Sequence, residues 1–374
     1  MMTLLYGIAF AAALLMALIL TPFVKRFAFW VGAVDRPNHR KVHTTVMPRL
    51  GGVGIFLAFV GALFVVLPVL TEYNENAVWA LLVGGTIIVL TGALDDRFDL
   101  SPKLKLLGQL AAAGAVVAFG LRINVGLLDV PFAENAWLQE MAWLSIPLTI
   151  FWIVGVTNAI NLIDGLDGLA GGVSAIATGT MLVVAVMMNN VTVILLCAIL
   201  LGCILGFLVF NFHPAKIFMG DSGALFLGFS LATLSVLGFK QATLVSFVVP
   251  LLILGVPLSD TFFAILRRIA NRTPISLADK NHLHHRLRDL GLSHRNTVLA
   301  IYGISLVFGV LAVFLSQTKL AWWGILAVVI VILLVLEIAA EAIGIIGKTR
   351  KPLLRFLHSV SVKAARLIGA RTFK

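Results

Sequence analysis

Residues 191–210, VTVILLCAILLGCILGFLVF, decide the fold, because they carry no charged side chain over a length that spans a bilayer. About 20 mostly apolar residues in a helix cross the hydrocarbon core. The whole chain has the same character: of its 374 residues, 60% are hydrophobic and only 12% are charged. Soluble proteins carry about 25% charged residues. The sequence therefore predicts an all-α, polytopic integral membrane protein and excludes a secreted enzyme, a nucleic-acid-binding protein and a disordered chain.

Hydropathy outward from this stretch predicts about eleven transmembrane helices. The expected spans are 3–24, 52–70, 77–94, 103–121, 142–159, 168–188, 191–210, 222–239, 242–265, 297–316 and 320–346.

The connections between these spans differ strongly in charge. If each span crosses the membrane once, successive connections lie on alternate sides. The connections on one side hold three of the 28 basic residues, Arg122, Lys240 and Lys319, and the other side, with the tail, holds the rest. Short loops rich in Lys and Arg face the cytoplasm. We therefore expect the N-terminus outside and the C-terminus inside, with Lys25 and Arg26 following a retained first anchor. The predicted organisation is a transmembrane domain over 1–347, with cytoplasmic loops at 35–52, 95–105, 158–168, 211–223 and 267–296, and a basic cytoplasmic tail over 348–374.

Every aspartate except Asp129 lies at a predicted cytoplasmic edge or in a predicted cytoplasmic loop. Acidic residues do not determine topology, so their concentration on one side needs another reason. Ionisable groups at the ends of membrane helices indicate a functional site. We expect the distant carboxylates of Asp95, Asp164 and Asp221 to assemble around one divalent cation.

Asp95 and Asp96 close the third predicted span. Adjacent positions on a helix point about 100° apart, so the two acids cannot do the same job. One is expected to bind a metal or accept a proton, while the other anchors the loop through Arg97 or Lys103. A solvated interfacial turn remains the alternative for this motif alone.

A second motif reads Asn158-Ala-Ile-Asn161-Leu-Ile-Asp164-Gly-Leu-Asp167-Gly. Spacing by three places neighbouring members close together on a helix, and the two glycines allow the backbone to turn and gather the polar groups at one mouth. Oxygen donors of this kind suit Mg²⁺ and the hydroxyl or imino groups of a nucleoside. An ordinary polar turn is the weaker alternative, because two Asn residues at the end of an apolar helix are costly without partners.

The third motif directly follows the opening stretch and reads Asn211-Phe-His-Pro-Ala-Lys-Ile-Phe218-Met-Gly-Asp221-Ser222-Gly. We expect Asp221 and Ser222 to cap the eighth span, and a helix N-terminus attracts phosphate. Phe218 is a candidate for stacking on a planar base, with a buried interfacial aromatic as the alternative.

Histidines cluster in the longest predicted cytoplasmic connection, which contains His282-Leu-His284-His285-Arg286. Arg donates paired hydrogen bonds to phosphates and His donates or shuttles protons, so this segment suits a diphosphate. A zinc site is the rival interpretation, but neither cysteine of the chain is near this loop in sequence. Solvated surface charge is the third.

The first predicted cytoplasmic loop is also basic. Arg36, Arg40, Lys41 and His43 are best explained by topology and anionic lipid headgroups. Arg49 stands just before a glycine pair that opens a helix and is the best candidate there for touching a phosphate.

Together and in this order, these segments resemble the polyprenyl-phosphate N-acetylhexosamine-1-phosphate transferase family of bacterial membranes, of the glycosyltransferase family 4 type. The resemblance covers nearly the whole chain. It implies transfer of a sugar 1-phosphate from a UDP-sugar to undecaprenyl phosphate, with release of UMP and a requirement for Mg²⁺, or Mn²⁺ in its place. It also implies a multi-pass protein among the lipids of the bacterial cytoplasmic (inner) membrane, with its active site facing the cytoplasm. Family precedent suggests a homodimer, and no nucleic acid is expected.

The resemblance also assigns roles to residues of this sequence. Asp95 looks like the catalytic acid that activates or orients the lipid phosphate, and Asp96 like its essential neighbour near the metal. Asp221 and Asn161 look like the metal ligands. Asp167 is expected to address uracil, and Phe218 to pack on it. The expected substrate-binding residues are Arg49, Lys105 (on the lipid-phosphate side), Asn158, Asp164, Asp167, Asn211, Phe218, His282, His284, His285 and Arg286.

Leu283 interrupts the histidines, and this looks like the branch of the family that uses UDP-N-acetylglucosamine to start a cell-envelope polysaccharide, such as lipopolysaccharide or teichoic acid. The branch that uses UDP-N-acetylmuramoyl-pentapeptide for peptidoglycan normally has three consecutive histidines and is the alternative. A lipid or solute transporter is the alternative of a different class. It is disfavoured because transporters place such groups near the bilayer midplane, often in paired halves. Direct attack by the lipid phosphate is expected, with a covalent aspartyl-phosphate route left open.

Overall fold

The computed structural model describes residues 2–36, 45–70, 72–123, 141–238, 244–274, 282–318 and 322–343. The predictions for Arg40, Lys41 and His43 and for the tail over 348–374 lie outside these residues. In chain order the helices are α1 (Met2–Val31), α2 (Gly51–Val66), α3 (Glu75–Phe98), α4 (Pro102–Ala118), α5 (Ser145–Ile163), α6 (Leu169–Met187), α7 (Val191–Asn211), α8 (Gly220–Gly238), α9 (Leu244–Ile253), α10 (Gly255–Ala270), α11 (Leu283–Asp289), α12 (His294–Gln317) and α13 (Trp322–Ile343). Short 3₁₀ turns cover Leu67–Val69 and Met141–Leu144. A two-residue antiparallel pair joins β1 (Val34–Asp35) to β2 (Met47–Pro48).

Eight of the described helices or helical segments are long and apolar enough to cross a membrane. They are Met2–Val31, Gly51–Val69, Glu75–Phe98, Ala142–Ile163, Leu169–Met187, Val191–Asn211, Gly220–Gly238 and His294–Gln317. The chain is therefore an all-α, multi-pass membrane protein, as the composition predicts. The total of about eleven spans and the orientation stay predictions.

The helix expected over 242–265 is interrupted at Leu254, between α9 and α10, and that the two cross the membrane as one span stays a prediction. Pro257 has no N–H with which to bond the carbonyl of Ile253, so the helical hydrogen-bond ladder lacks one bond here, and a helix kinks or breaks at such a point. A proline is tolerated in the first turn of a new helix, which is where Pro257 lies in α10.

Helix α8 is the centre of the fold and packs against α2, α3, α5 and α6. Small residues let the backbones approach closely. A Cβ atom on Gly92 of α3 would overlap the backbone of Ser222, and one on Gly52 of α2 would overlap Gly223. These contacts place the end of α3 directly against the start of α8.

The chain divides into two compact units, one of residues 1–258 and 294–318 and the other of residues 259–293 and 319–374. The first unit contains α1 to α9 and α12. The second contains the histidine helix α11 and α13, and α10 crosses the boundary between the two segments.

Candidate active site

Asp96 holds the start of α8. Its Oδ1 accepts a hydrogen bond from the backbone N–H of Asp221 at 2.8 Å, and its Oδ2 accepts one from Ser222 at 3.1 Å. The first N–H groups of a helix have no partner within the helix, and a carboxylate there satisfies them and the helix dipole. The prediction that Asp221 and Ser222 cap this helix themselves is wrong, because the capping carboxylate comes from α3.

The predicted anchoring of the Asp95–Asp96 loop through Arg97 or Lys103 is also wrong. Besides the α8 amides, Asp96 has Arg49 as a partner, whose Nε lies 3.8 Å from its Oδ1. Arg97 instead places its guanidinium over the ring of Phe98, 5.1 Å from the ring centre. The close approach of Arg49 and Asp96 to the start of α8 requires a glycine at position 220. Gly220 has φ +70°, and a Cβ atom there would overlap the Arg49 carbonyl and the Asp96 carboxylate.

Lys105, in the first turn of α4, joins two carboxylates. Its Nζ lies 3.0 Å from Asp95 Oδ2 and also donates a hydrogen bond to Asp221 Oδ2. Asp95 is buried, and a buried carboxylate is stable as an ion only with a partner. One ammonium group thus links the end of α3 to the start of α8.

The predicted break in the Asn158–Gly168 motif is confirmed. Helix α5 ends at Ile163, α6 begins at Leu169, and Gly168 between them has φ +76°. The turn opens onto a cavity of about 270 Å³. The cavity is lined by Asp35, Arg49, Asn161, Asp164, Gly165, Leu166, Asp167, Asn211, Phe218, Met219, Gly220 and Asp221.

Of the four Asn and Asp residues of this motif, Asn158 is the one that does not line the cavity. Its side-chain amide pairs with that of Gln109 on α4, through hydrogen bonds of 3.2 and 2.7 Å. The paired amides satisfy each other inside the helical bundle. Nothing in the sequence indicates Gln109, because it lies alone among apolar residues 49 positions away from its partner.

Negative charge is concentrated around the cavity. Burial and the nearby carboxylates of Asp221, Asp96 and Asp167 raise the pKa of Asp164 to about 7, against the opposing effect of Arg49. Carboxylates this close repel one another and favour a bound cation. Asp164 and Asp221 line the same cavity, and Asp95 is joined to Asp221 through Lys105. That the three surround one divalent cation stays a prediction.

The donor set suits a hard cation. Asp221 and Asp164 offer carboxylate oxygens on the cavity wall, and Asn161 offers an amide oxygen on the same wall. Mg²⁺ is typically held by one or two carboxylates together with substrate phosphates. These residues fit such an ion in number and chemistry.

Asn211 and Phe218 are placed by the loop between α7 and α8. Asn211 is buried, accepts a hydrogen bond from the Gly168 N–H at 3.1 Å and donates one to the Ile217 carbonyl at 3.0 Å. The Phe218 backbone bonds to Pro48 and Gly51 beside β2. Three separate stretches of chain thus hold one aromatic ring at the cavity wall.

Asp167 has two partners from the same loop. Its Oδ2 lies 2.8 Å from His213 Nδ1 and accepts a hydrogen bond from the Ala215 N–H at 3.2 Å. The His213 ring stacks on that of His294 at 4.1 Å and 20°. Asp167, His213 and His294 have potential metal-ligand atoms that all lie within 4.8 Å of one another. Among the described residues, the segment His282 to Arg286 forms no such group.

The sequence prediction names neither His213 nor His294 as a site residue. Tyr302, on the same helix as His294, is also absent from it, although its hydroxyl donates a hydrogen bond to the Gly168 carbonyl. The position of His213 in the third motif is the one signal that could have indicated it.

In the second unit, Asp260 of α10 organises the histidine helix α11. Its Oδ2 lies 2.9 Å from His282 Nδ1, and its Oδ1 accepts a hydrogen bond from the Leu283 N–H at 2.8 Å. Burial and the neighbouring His285 lower the pKa of His284 to about 4. Arg286 lies 3.9 Å from Asp289 in the same helix. Asp260 is a second capping carboxylate that the sequence prediction does not assign to the site.

Comparison with known proteins finds one matching family model and several similar bacterial transferases. The family model described as glycosyl transferase family 4 matches residues 78–239. A probable undecaprenyl-phosphate N-acetylglucosaminyl 1-phosphate transferase of Bacillus subtilis (strain 168) is 47% identical over 352 residues, covering 93% of this chain and 95% of the relative. A decaprenyl-phosphate N-acetylglucosaminephosphotransferase of Mycobacterium tuberculosis (strain CDC 1551 / Oshkosh) is 38% identical over 309 residues, 75% of this chain and 74% of the relative.

A phospho-N-acetylmuramoyl-pentapeptide-transferase of Halalkalibacterium halodurans is more distant, at 34% identity over 322 residues, with 83% of this chain and 95% of the relative covered. The matched region 78–239 contains most of α3 and all of α4 to α8, and with them Asp95, Lys105, Asp164 and Asp221.

Proposed function

We propose that this chain, which belongs to glycosyl transferase family 4, transfers N-acetylglucosamine 1-phosphate from UDP-N-acetylglucosamine to undecaprenyl phosphate. An oxygen of the lipid phosphate attacks the β-phosphorus of the nucleotide sugar. The bond from that phosphorus to the oxygen of the α-phosphate breaks, and UMP leaves. The products are undecaprenyl diphosphate N-acetylglucosamine, which starts a cell-envelope polysaccharide, and UMP.

The observation that carries this proposal is the joining of a carboxylate–lysine cluster to a cavity with an aromatic wall. Asp221 belongs to both, because it contacts Lys105 and lines the cavity that also contains Phe218. The cavity volume of about 270 Å³ is near the lower end of the range for small-molecule sites, ~300–1,000 Å³. A phosphate-handling centre directly beside a pocket for a planar group suits a nucleotide substrate.

Lys105 and Asp95 are proposed to receive the lipid phosphate. The Lys105 ammonium can donate to a phosphate oxygen, and Asp95 holds that ammonium in place. A phosphate monoester is already mostly ionised near neutral pH, because its second pKa is about 6. A strong base is therefore not required, and the proposed role of Asp95 is to orient the attacking group. This arrangement favours direct attack over an aspartyl-phosphate intermediate.

Asp96 is proposed to act through α8 rather than on substrate. It holds the N–H groups of Asp221 and Ser222, and so fixes the position from which the Asp221 carboxylate faces the site. A residue that fixes the position of a site residue in this way keeps the reacting groups within the narrow geometry that catalysis requires.

Mg²⁺ is the proposed cofactor, with Asp221 and Asn161 as the residues that would hold it. When bound, it supplies positive charge that offsets the diphosphate and stabilises the leaving group. Arg49 also lines the cavity and contributes a fixed positive charge to phosphate binding.

The nucleoside is proposed to occupy the part of the cavity formed by Phe218, Asp167 and Asp164. Phe218 offers a face for the pyrimidine, and Asp167 accepts a hydrogen bond from it. Asn211 supports the turn at Gly168 and the loop before Phe218, through its hydrogen bonds to Gly168 and Ile217. Asn158 supports the bundle through Gln109.

The segment His282 to Arg286 is proposed to bind the diphosphate and the sugar. Asp260 fixes His282 through its Nδ1 and holds the first amide of α11. The interruption of the histidines by Leu283 supports N-acetylglucosamine over N-acetylmuramoyl-pentapeptide as the sugar. The activity is proposed to face the cytoplasm of the bacterial inner membrane, which the distribution of basic residues supports.

The test is an assay with purified protein, undecaprenyl phosphate, Mg²⁺ and UDP-N-acetylglucosamine labelled in the sugar. We expect labelled lipid and an equal amount of UMP. A parallel reaction with UDP-N-acetylmuramoyl-pentapeptide is expected to give no lipid product. Product from the pentapeptide donor alone would replace the proposed donor, and product from neither would overturn the proposed activity.

A further inference from the structure

Asp167, on the cavity wall, belongs to a small cluster with His213 and His294, and the proposed reaction so far uses only Asp167. We propose that His213 is a positioning residue that orients the Asp167 carboxylate to select uracil over cytosine. This inference rests on the proposed function, since it concerns the nucleoside part of the same site.

The hydrogen bonds on Asp167 favour one orientation of its carboxylate. His213 Nδ1 at 2.8 Å and the Ala215 N–H at 3.2 Å both contact Oδ2. Among the described residues, no donor contacts Oδ1. A carboxylate has two oxygens that accept independently, so engagement of Oδ2 turns Oδ1 into the acceptor left for a ligand. Asp167 lines the cavity, and a ligand there can reach this oxygen.

The His213 ring is itself held in place. It stacks on the His294 ring with centres 4.1 Å apart and planes 20° apart. His294 opens α12, and the same helix contributes Tyr302, whose hydroxyl bonds the carbonyl of Gly168 directly after Asp167. Helix α12 thus supports the Asp167 turn at two points, once through a backbone carbonyl and once through the His213 ring.

A fixed carboxylate oxygen distinguishes the two pyrimidines chemically. Uracil presents an N–H donor at N3, and cytosine presents a lone pair at the same atom. A carboxylate oxygen accepts a hydrogen bond from the first and repels the second, and sites built around a buried polar group reject the mismatched partner strongly. An Asp167 free to rotate would lose part of this preference.

The same three side chains could instead bind a metal, since their ligand atoms lie within 4.8 Å of one another. Two observations favour positioning. His213 already uses Nδ1 in the contact with Asp167. In addition, imidazole lone pairs lie in the ring plane, so two rings stacked nearly parallel do not direct them at one ion.

The experiment compares wild type with His213→Leu, which removes the donor, and His213→Asn, whose amide replaces Nδ1 with an N–H in a similar position. UMP and CMP binding are measured by calorimetry on the purified protein. KM is measured for UDP-N-acetylglucosamine and for undecaprenyl phosphate. In H213L we expect UMP affinity to fall and KM for UDP-N-acetylglucosamine to rise, each on the order of ten-fold, the size of a hydrogen bond to a charged group. CMP affinity and KM for undecaprenyl phosphate are expected to stay unchanged, and H213N to recover most of the loss.

The inference is overturned if H213L retains the wild-type ratio of UMP to CMP affinity, or if both KM values change together with the melting temperature, which would indicate a structural role. Stoichiometric Zn²⁺ in the wild type that is lost in H213L would also overturn it in favour of a metal site. Failure of the proposed function looks different: wild type would bind UMP over CMP in a His213-dependent way and yet form no lipid product.

Discussion

At the scale of single residues, Asp95 and Asp96 are adjacent in sequence but have different partners. Asp95 contacts the Lys105 ammonium, whereas both oxygens of Asp96 accept backbone N–H groups from the start of α8. Both Asp96 oxygens are thus committed to holding the start of α8, whereas Asp95 contacts a side chain that can also contact a phosphate. The account therefore assigns orientation of the lipid phosphate to Asp95 and construction of the site to Asp96.

Replacement of Asp95 by Asn is expected to reduce kcat by at least about 100-fold, the lower range for loss of a group that assists the reacting atoms. The neutral amide cannot hold Lys105 as a carboxylate does, while it preserves the side chain's shape. Turnover at saturating lipid phosphate is the measurement. Asp99→Asn is the matched control, because Asp99 is exposed and pairs with Arg49 rather than Lys105. Near-normal turnover in D95N would remove Asp95 from the mechanism.

Replacement of Asp96 by Ala is expected to lower the melting temperature as well as activity. The change leaves two helix N–H groups without a partner, and loss of such a cap costs about 1–2 kcal/mol. Asp96→Asn keeps one acceptor oxygen and should have an intermediate melting temperature. The thermal midpoint of the purified protein is the readout. A fully stable D96A variant that lacks activity would instead indicate a direct role in catalysis.

His284 is expected to remain neutral at physiological pH. Burial and the charge of His285 lower its pKa from 6.5 to about 4, so the folded state binds this proton less readily than the unfolded state. The stabilising effect of neutral His284 is complete above about pH 6.5 and is lost as the pH falls towards 4. The check is NMR of ¹⁵N-histidine-labelled protein, with His284→Gln for assignment. Titration of His284 near pH 6.5 would contradict this.

At the scale of elements, the end of α3 and the start of α8 depend on backbone contact at Gly92. A Cβ atom there would overlap the backbone of Ser222, which lies next to Asp221. Gly92→Ala is therefore expected to displace α8 and to abolish activity, with a clearly lower melting temperature. Gly155→Ala in α5 is the control, because nothing lies within 4 Å of its Cβ position. Equal behaviour of the two variants would show that this contact does not hold the site together.

The sequence predicts the apolar spans and the break at Gly168 because these depend on local chain properties. It does not predict the Asp96 cap on α8, which joins positions 125 residues apart, or the Gln109–Asn158 pair. Both depend on which helices become neighbours. The α9–α10 break could have been predicted, since Pro257 cannot donate to Ile253. The motifs located most of the cavity wall. His213, which contacts Asp167, and Asp260, which contacts His282, were missed because they act through other residues.

At the scale of the whole molecule, the membrane orientation rests on charge alone and is open to a direct test. Helix α3 separates Glu72, in a predicted external connection, from Asp99, in a predicted cytoplasmic one, and both residues are exposed. In intact cells, a membrane-impermeant maleimide should label Glu72→Cys readily and Asp99→Cys only after permeabilisation. The two native cysteines are buried and give a low background. The opposite labelling pattern would place the site outside the cytoplasm.

The central claim is that the bond broken joins two phosphate groups, so the sugar and its phosphate move together. The most direct measurement uses UDP-N-acetylglucosamine labelled with ³²P at the β-phosphorus, with undecaprenyl phosphate and Mg²⁺. The account predicts that the label appears in the lipid and that the released UMP carries none. Label recovered in UDP, with unlabelled sugar on the lipid, would show transfer of the sugar alone and would contradict the account.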